Sequence, residues 1–245
     1  MSIYVLVHGA WHGAWCWYKV LPLLERGGHK VIAPDLPGLG RDVTPLDQIS
    51  LDSWADFVRQ IVEAQPEPVV LVGHSRAGII LSTVAERCPW KIASLVYVTA
   101  ALVRDRESFL QLTLADATSL IMPNQVVAPD GRSFTIRDEA LTEVFYGECP
   151  DEDVALARLL LRPEPTAPMK TRVHITGDSF GAVPRIYVEC LRDKAIPRSL
   201  QKTMYSALPC QKVMTIDTDH SPFFSAPEQL AEYLVSIDSL RAHAP

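Results

Sequence analysis

Val69-Val70-Leu71-Val72-Gly73-His74-Ser75-Arg76-Ala77-Gly78 sets a serine directly between a short β-branched apolar run and the start of a helical pattern. The first four residues have the length and composition of a buried strand, and Ala77, Ile80, Leu81 and Val84 then recur at helical spacing. A tight strand-to-helix turn forces strained backbone angles on its apex residue, and large side chains at positions 73 and 77 would collide across it. The hydroxyl is left exposed at a helix N-terminus, where the helix dipole favours a developing negative charge. The context therefore predicts Ser75 as a nucleophile rather than a serine that merely caps a helix. The usual G-x-S-x-G spacing is modified, with Ala77 in the last small position and the glycine displaced to Gly78.

Outward from this turn, apolar runs alternate with segments of helical period, the signature of a parallel sheet covered by helices on both faces. Ile3 to Val7, Lys30 to Ala33, Val69 to Val72, Leu95 to Val98, Ile186 to Val188 and Val213 to Ile216 are the expected strands. Trp54, Phe57, Val58 and Ile61 mark one helix, and Leu230, Tyr233, Leu234 and Ile237 mark the last. Gly27-Gly28 is expected to stop the first helix, Pro89 to end the third, and Ser225-Ala226-Pro227-Glu228 to open the last as a capping box. Between about Ala101 and Val183 the alternation fails, and Pro and acidic residues interleave with helical fragments such as Asp153 to Leu161. That length exceeds a simple crossover. It predicts an inserted helical cap over the carboxyl ends of the strands, with residues 1–100 and 184–245 forming the core of a single structural domain.

His220 follows the last expected strand, and Asp193 follows the strand before it, so the order along the chain is Ser75, Asp193, His220. A base is needed to take the serine proton, and an acid to hold one imidazole tautomer and stabilise the imidazolium. Of the seven histidines, His29, His174 and His243 fall outside strand-end loops, and His74 should point away from Ser75. Asp219 is the rival acid, but adjacent residues rarely face each other well enough to serve as a pair, so Asp193 is preferred.

Composition narrows the class. The chain has 245 residues, 48% hydrophobic and 21% charged, with 23 basic against 29 acidic residues and a formal net charge of -6. No run of Lys or Arg could follow a phosphate backbone, so nucleic acid is not an expected partner. No basic leader and no stretch of roughly 18 apolar residues is present, so no membrane association and a soluble cytoplasmic protein are expected. Cys16, Cys88, Cys149, Cys190 and Cys210 are scattered, without a CxxC pair or metal spacing, and read as reduced, mostly buried thiols with no metal site.

His8-Gly9-Ala10 closes the first strand and leads into Trp11-His12-Gly13-Ala14-Trp15-Cys16-Trp17. An oxyanion needs two preorganised N–H donors, and the residue after the nucleophile (Arg76) and the first loop (Ala10) are the expected pair. The Arg76 side chain could contact substrate or cap, but the surface reading is favoured. Trp15 and Trp17 read as packing residues that anchor the loop against the first helix.

The stretches HGAWHGAWCWYKVLPLLERGGHKVIAPDL (from His8), VLVGHSRAG (from Val70) and VPRIYVECLRDKAIP (from Val183), with TDHSPF and the cap's LARLLLRP, extend over nearly the whole chain. They resemble the plant-type methylesterase and hydroxynitrile lyase branch of the α/β-hydrolases, which includes salicylate-binding methylesterases and bacterial esterase relatives. The resemblance implies the α/β-hydrolase fold, the Ser75, Asp193, His220 triad, oxyanion donors at Ala10 and Arg76, a cap-covered apolar pocket, no cofactor and a homodimer. Lyases of this branch carry a threonine where this chain has Gly9 and a lysine where it has Ser221. Ester hydrolysis is the chemistry that remains, on small carboxylic esters such as methyl or aryl esters. Phe109, Met122, Phe134, Phe145 and Leu160 are the apolar candidates for the pocket. A hydroxynitrile lyase and a non-catalytic ligand-binding receptor are the rival readings.

Overall fold

The computed structural model describes residues 1–241, so His243 lies outside the described residues. The core opens with β1 (Ile3–Val7), α1 (Val20–Arg26), β2 (Lys30–Ile32), α2 (Leu51–Glu63), β3 (Val69–His74), α3 (Ala77–Arg87) and β4 (Ile92–Val98). A segment between the strands of the core follows, with β5 (Gln125–Val127), β6 (Ser133–Ile136) and β7 (Glu164–Pro165) among helices α4 (Phe109–Leu114), α5 (Ile121–Asn124), α6 (Leu141–Phe145), α7 (Asp151–Leu160) and α8 (Thr166–Lys170). The core resumes with β8 (Arg185–Cys190), α9 (Arg198–Ala207), β9 (Lys212–Ile216), α10 (Pro222–Ser225) and α11 (Pro227–Arg241).

The six core strands pair in the order β2-β1-β3-β4-β8-β9, and every pairing is parallel. Helices cover both faces, so the central strands read as continuous apolar runs: all five residues of β1 and all six of β3 are buried. The chain runs from β1 outward to β2 and then returns to the other side of β1 as β3, which makes the β1/β3 boundary the point where strand order reverses. Ligands in open parallel sheets bind at the carboxyl ends of such strands. Those ends carry His8-Gly9-Ala10 and Ser75.

Two sequence expectations are corrected. The inserted segment is not purely helical: β5, β6 and β7 form a three-stranded antiparallel sheet. Its signal lies in the alternating burial along Ser133–Ile136 and in the Asp130-Gly131 turn, where Gly131 takes φ +69°. Ser225 does not cap the last helix. It is the final residue of α10, and its hydroxyl contacts Asp219 Oδ1 at 3.0 Å and the Ser221 carbonyl at 3.1 Å, while α11 starts at Pro227. The helix stops at Gly27 and ahead of Pro89 agree with expectation. No helix among the described residues is long and apolar enough to cross a membrane.

Candidate active site

Ser75 adopts φ +53°, a left-handed conformation that a serine holds only where its surroundings impose it. Its N–H donates to the Val98 carbonyl at 3.2 Å, extending the β3/β4 ladder by one residue, and its own carbonyl accepts from Ala101 N at 2.9 Å. The glycines of the turn have separate jobs. A Cβ at Gly73 would lie 2.5 Å from Leu81 Cδ1, and one at Gly78 would lie 2.3 Å from the Ala101 carbonyl oxygen. The displaced glycine therefore answers to the close approach of α3 to the chain after β4, while Ala77 is small enough for the elbow itself.

The sequence-predicted Ser75, Asp193 and His220 are brought together. Ser75 Oγ lies 3.0 Å from His220 Nε2, and His220 Nδ1 lies 2.7 Å from Asp193 Oδ2. The other Asp193 oxygen accepts the Ala195 and Ile196 amides at 2.7 and 2.8 Å, and Thr99 Oγ1 donates to Oδ2. With the carboxylate so occupied, Nδ1 carries the imidazole proton and Nε2 presents a lone pair to the serine hydroxyl. Asp219 faces elsewhere. It accepts from the Glu148 and Ser221 amides at 2.8 and 3.0 Å and ties the inserted segment to the chain after β9.

No acceptor among the described residues takes the Ala10 or Arg76 amide, the two expected oxyanion donors. The expectation for the Arg76 side chain is overturned: it is fully buried, not at the surface. Its Nε lies 2.8 Å from Glu164 Oε1, its Nη2 donates to the Gly9 carbonyl at 3.0 Å, and its guanidinium stacks over the Trp54 ring at 4.1 Å. An arginine is buried only where it is paired, and the pair here comes from β7, remote in sequence.

A cavity of about 470 Å³ of empty space, mouth included, opens beside Ser75 and Ala10. Its walls are mostly apolar, with Trp11, Phe109, Ile121, Met122, Phe134 and Met169, and the side chains of Gln125 and Thr166 add polarity. Phe109, Met122 and Phe134 thus lie where expected. Phe145 does not: its ring packs 5.5 Å from that of His220 and 5.3 Å from Trp11. Leu160 lines a separate surface groove with Trp15 and Tyr18, because its position at the end of α7 turns it outward. Trp15 and Trp17 are packing residues: the Trp15 ring lies against Phe224 and the Trp17 ring against Phe223 of α10, and Trp17 shares the buried core with Val20 and Leu24 of α1.

A family model described as the alpha/beta hydrolase family matches residues 4–233. The chain belongs to this family. Within it, the chain is similar to Methylesterase 3 of Arabidopsis thaliana, 36% identical over 95% of this chain and 94% of the relative. It is also similar to Putative methylesterase 15, chloroplastic, of the same plant, 34% identical over 97% of this chain, and it spans only 56% of that relative's length. Among solved structures it is similar to a pyrethroid hydrolase from Sphingobium faniae JZ-2, with a TM-score of 0.90 and 29% identity over 99% of both chains.

Around this α/β-hydrolase site stand three buried histidines whose roles sequence reasoning missed. Leu36 N donates to His8 Nε2 at 3.1 Å, so the proton sits on His8 Nδ1 and points to the Gly9 carbonyl at 2.9 Å. His12 Nδ1 contacts the Ala10 carbonyl at 2.7 Å while Nε2 meets the Tyr146 hydroxyl at 2.8 Å. Burial pulls His8 down to about 3 and His12 down to about 4, so both work as neutral hydrogen-bonding rings. His74 points away from Ser75 as expected, and its Nε2 reaches the His220 carbonyl at 2.7 Å. Trp11, also missed, takes φ +63° and forms a cavity wall, its indole N–H donating to the Phe134 carbonyl at 3.1 Å. The H-x-x-x-H spacing in the first loop was the available signal for His8 and His12, but the Leu36 amide, the Tyr146 hydroxyl and the His220 carbonyl that complete the three rings' contacts come from distant segments.

Proposed function

We propose that this chain hydrolyses small carboxylic esters of methyl-ester or aryl-ester type through an acyl-enzyme. The continuous contact from Ser75 Oγ through His220 to Asp193, at 3.0 and 2.7 Å beside an apolar cavity, carries the reading. Ser75 Oγ attacks the ester carbonyl carbon as His220 Nε2 takes the hydroxyl proton, and the carbonyl electron pair moves onto oxygen. The Ala10 and Arg76 amides hold that oxyanion. Collapse of the tetrahedral species breaks the bond to the alcohol, which leaves with the proton from His220. Water then attacks the acyl carbon with His220 as base, and the acid departs as Ser75 regains its proton. Asp193 keeps the imidazole in the tautomer that each step needs.

The methylesterase relatives support ester chemistry, and the apolar walls suit an acyl group without charge. Cyanohydrin cleavage fits less well, since Gly9 and Ser221 stand where that chemistry uses threonine and lysine. A panel of methyl, aryl and lactone esters, assayed with the native chain and with Ser75→Ala, tests the reading: turnover must depend on Ser75. Native-level turnover by the variant would overturn it. Fluorophosphonate labelling that is lost in Ser75→Ala separates this reading from a ligand-binding receptor.

A further inference from the structure

The guanidinium of Arg76 ends on the peptide next to it in the site. Nη2 donates to the carbonyl of Gly9, and His8 Nδ1 contacts the same oxygen, at 3.0 and 2.9 Å. That carbonyl belongs to the peptide unit whose N–H is Ala10's. A trans peptide is planar and its C=O and N–H point in opposite directions, so a donor that fixes the oxygen also aims the N–H. A cationic donor on the oxygen also polarises the amide and strengthens its N–H as a donor, by about 10–30% per bond in condensed-phase estimates.

Glu164 completes the arrangement from the other side. One oxygen lies 2.8 Å from Arg76 Nε, at an angle that makes the contact an ion pair rather than a straight hydrogen bond. The other accepts the Trp11 amide at 2.9 Å. Both side chains are fully buried. Gly9, Ala10 and Trp11 are therefore clamped on each side of the expected oxyanion donor, by a charge pair that joins the turn ahead of α3 to β7. The Arg76 side chain does not line the cavity, so it acts without touching substrate, whereas the backbone amide of the same residue is the expected oxyanion donor.

Resting on the ester-hydrolase reading, we infer that the Arg76 side chain, with Glu164 as its counterion, is a positioning group that aims and polarises the Gly9–Ala10 peptide for the oxyanion. Seating of the β7 segment is thereby coupled to assembly of the oxyanion hole. A neutral chain at 76 would leave the same amides in place but only His8 to orient the first of them. Burial pushes Glu164 up from its usual range, and the neighbouring guanidinium and Trp11 amide oppose that push. Arginine does not give up its proton in proteins, so the carboxylate is held as the partner of a permanent charge.

Removing one partner strands a buried charge and can prevent folding, so the decisive variant is the apolar pair Arg76→Met with Glu164→Leu, which often leaves stability intact. Arg76→Lys and Glu164→Gln serve as companions. Each folded variant is assayed with p-nitrophenyl butyrate, and its affinity is measured for an alkyl trifluoromethyl ketone, which adds Ser75 and forms an oxyanion, and for the matching methyl ketone, which binds without adding. The expected result for the double variant is a kcat lowered by roughly 10- to 100-fold, below the loss typical of deleting a donor outright. Its KM should stay within about threefold, since this interaction belongs to the transition state. Trifluoromethyl ketone affinity should fall by the same factor as kcat, while methyl ketone affinity holds. Arg76→Lys should fall between, because an ammonium cannot span Gly9 and Glu164 as the planar fork does. Unchanged kcat and trifluoromethyl ketone affinity in the folded double variant would overturn the inference, as would an equal loss of both ketones. Failure of the ester reading is distinct: it would appear in the native chain, as loss of Ser75-dependent turnover. The ketone comparison would still report on the hole.

Discussion

His74 Nε2 lies 2.7 Å from the backbone carbonyl of His220, so the residue next to Ser75 holds the loop that carries His220. The rings of the two histidines sit with centroids 4.6 Å apart, and the Phe223 ring packs edge-on against His74 at 4.9 Å. The elbow thus fixes both partners of the proposed proton transfer, Ser75 through the backbone of β3 and His220 through a side chain beside it.

His74→Ala should lower kcat by about 10- to 100-fold with little change in KM, because a displacement near 1 Å of a catalytic group costs rate rather than binding. His74→Gln, which can place an N–H near the same carbonyl, should recover most of the loss. Steady-state kinetics on one ester check the pair. Equal defects in Ala and Gln would point to packing alone.

Gly78→Ala should destabilise the fold by about 1–3 kcal/mol, the usual cost of overpacking. The added methyl would meet the Ala101 carbonyl oxygen at 2.3 Å, and the atoms it meets are backbone, which cannot swing aside as a side chain can. Ala77→Gly, which recreates the regular elbow spacing, should cost only about 1 kcal/mol in helix propensity and leave turnover within a few-fold. Urea unfolding of both variants provides the comparison, and a Gly78 variant as stable as the native chain would refute the steric account.

Gly9→Thr introduces the residue that lyases of the branch carry, and it should not install cyanohydrin cleavage. Its Cβ would lie 2.6 Å from His74 Nδ1 and 3.0 Å from Ser75 Cβ. Displacing the nucleophile should instead reduce ester turnover by about a hundredfold. Cyanide release from mandelonitrile, measured beside ester hydrolysis, decides the matter.

Stability should fall on mild acidification. His8 and His12 are held at about 3 and about 4 by burial, whereas in an unfolded chain they titrate near 6.5. Below about pH 6.5 the unfolded state therefore takes up protons that the fold refuses, at up to ~1.4 kcal/mol per pH unit for each histidine. The loss should continue down to about 4, where His12 protonates in the fold, and end near 3 with His8. Unfolding free energies from about pH 7.5 down to about pH 5 test the sign: a flat profile would contradict it.

The sequence alone determined the parallel sheet and the elbow, and it singled out Asp193 and His220, the two side chains that the structure brings into line with Ser75. Those features are written in local signals: β-branched runs of strand length, helical apolar spacing, and residues placed directly after strand ends. Asp219 could be set aside because it adjoins His220, and the structure occupies it with the Glu148 and Ser221 amides. The small sheet of the inserted segment was within reach of the Asp130-Gly131 turn but was masked by short, mixed fragments. What only the tertiary structure decided was the environment of side chains whose partners are distant in sequence. Arg76 is buried because β7 brings Glu164 and α2 brings Trp54 to it. An arginine carries no local mark of burial, since that depends on whether a counter-charge arrives from elsewhere. Likewise the roles of His8, His12 and His74 depend on the Leu36 amide, the Tyr146 hydroxyl and the His220 carbonyl, which only the fold brings to them.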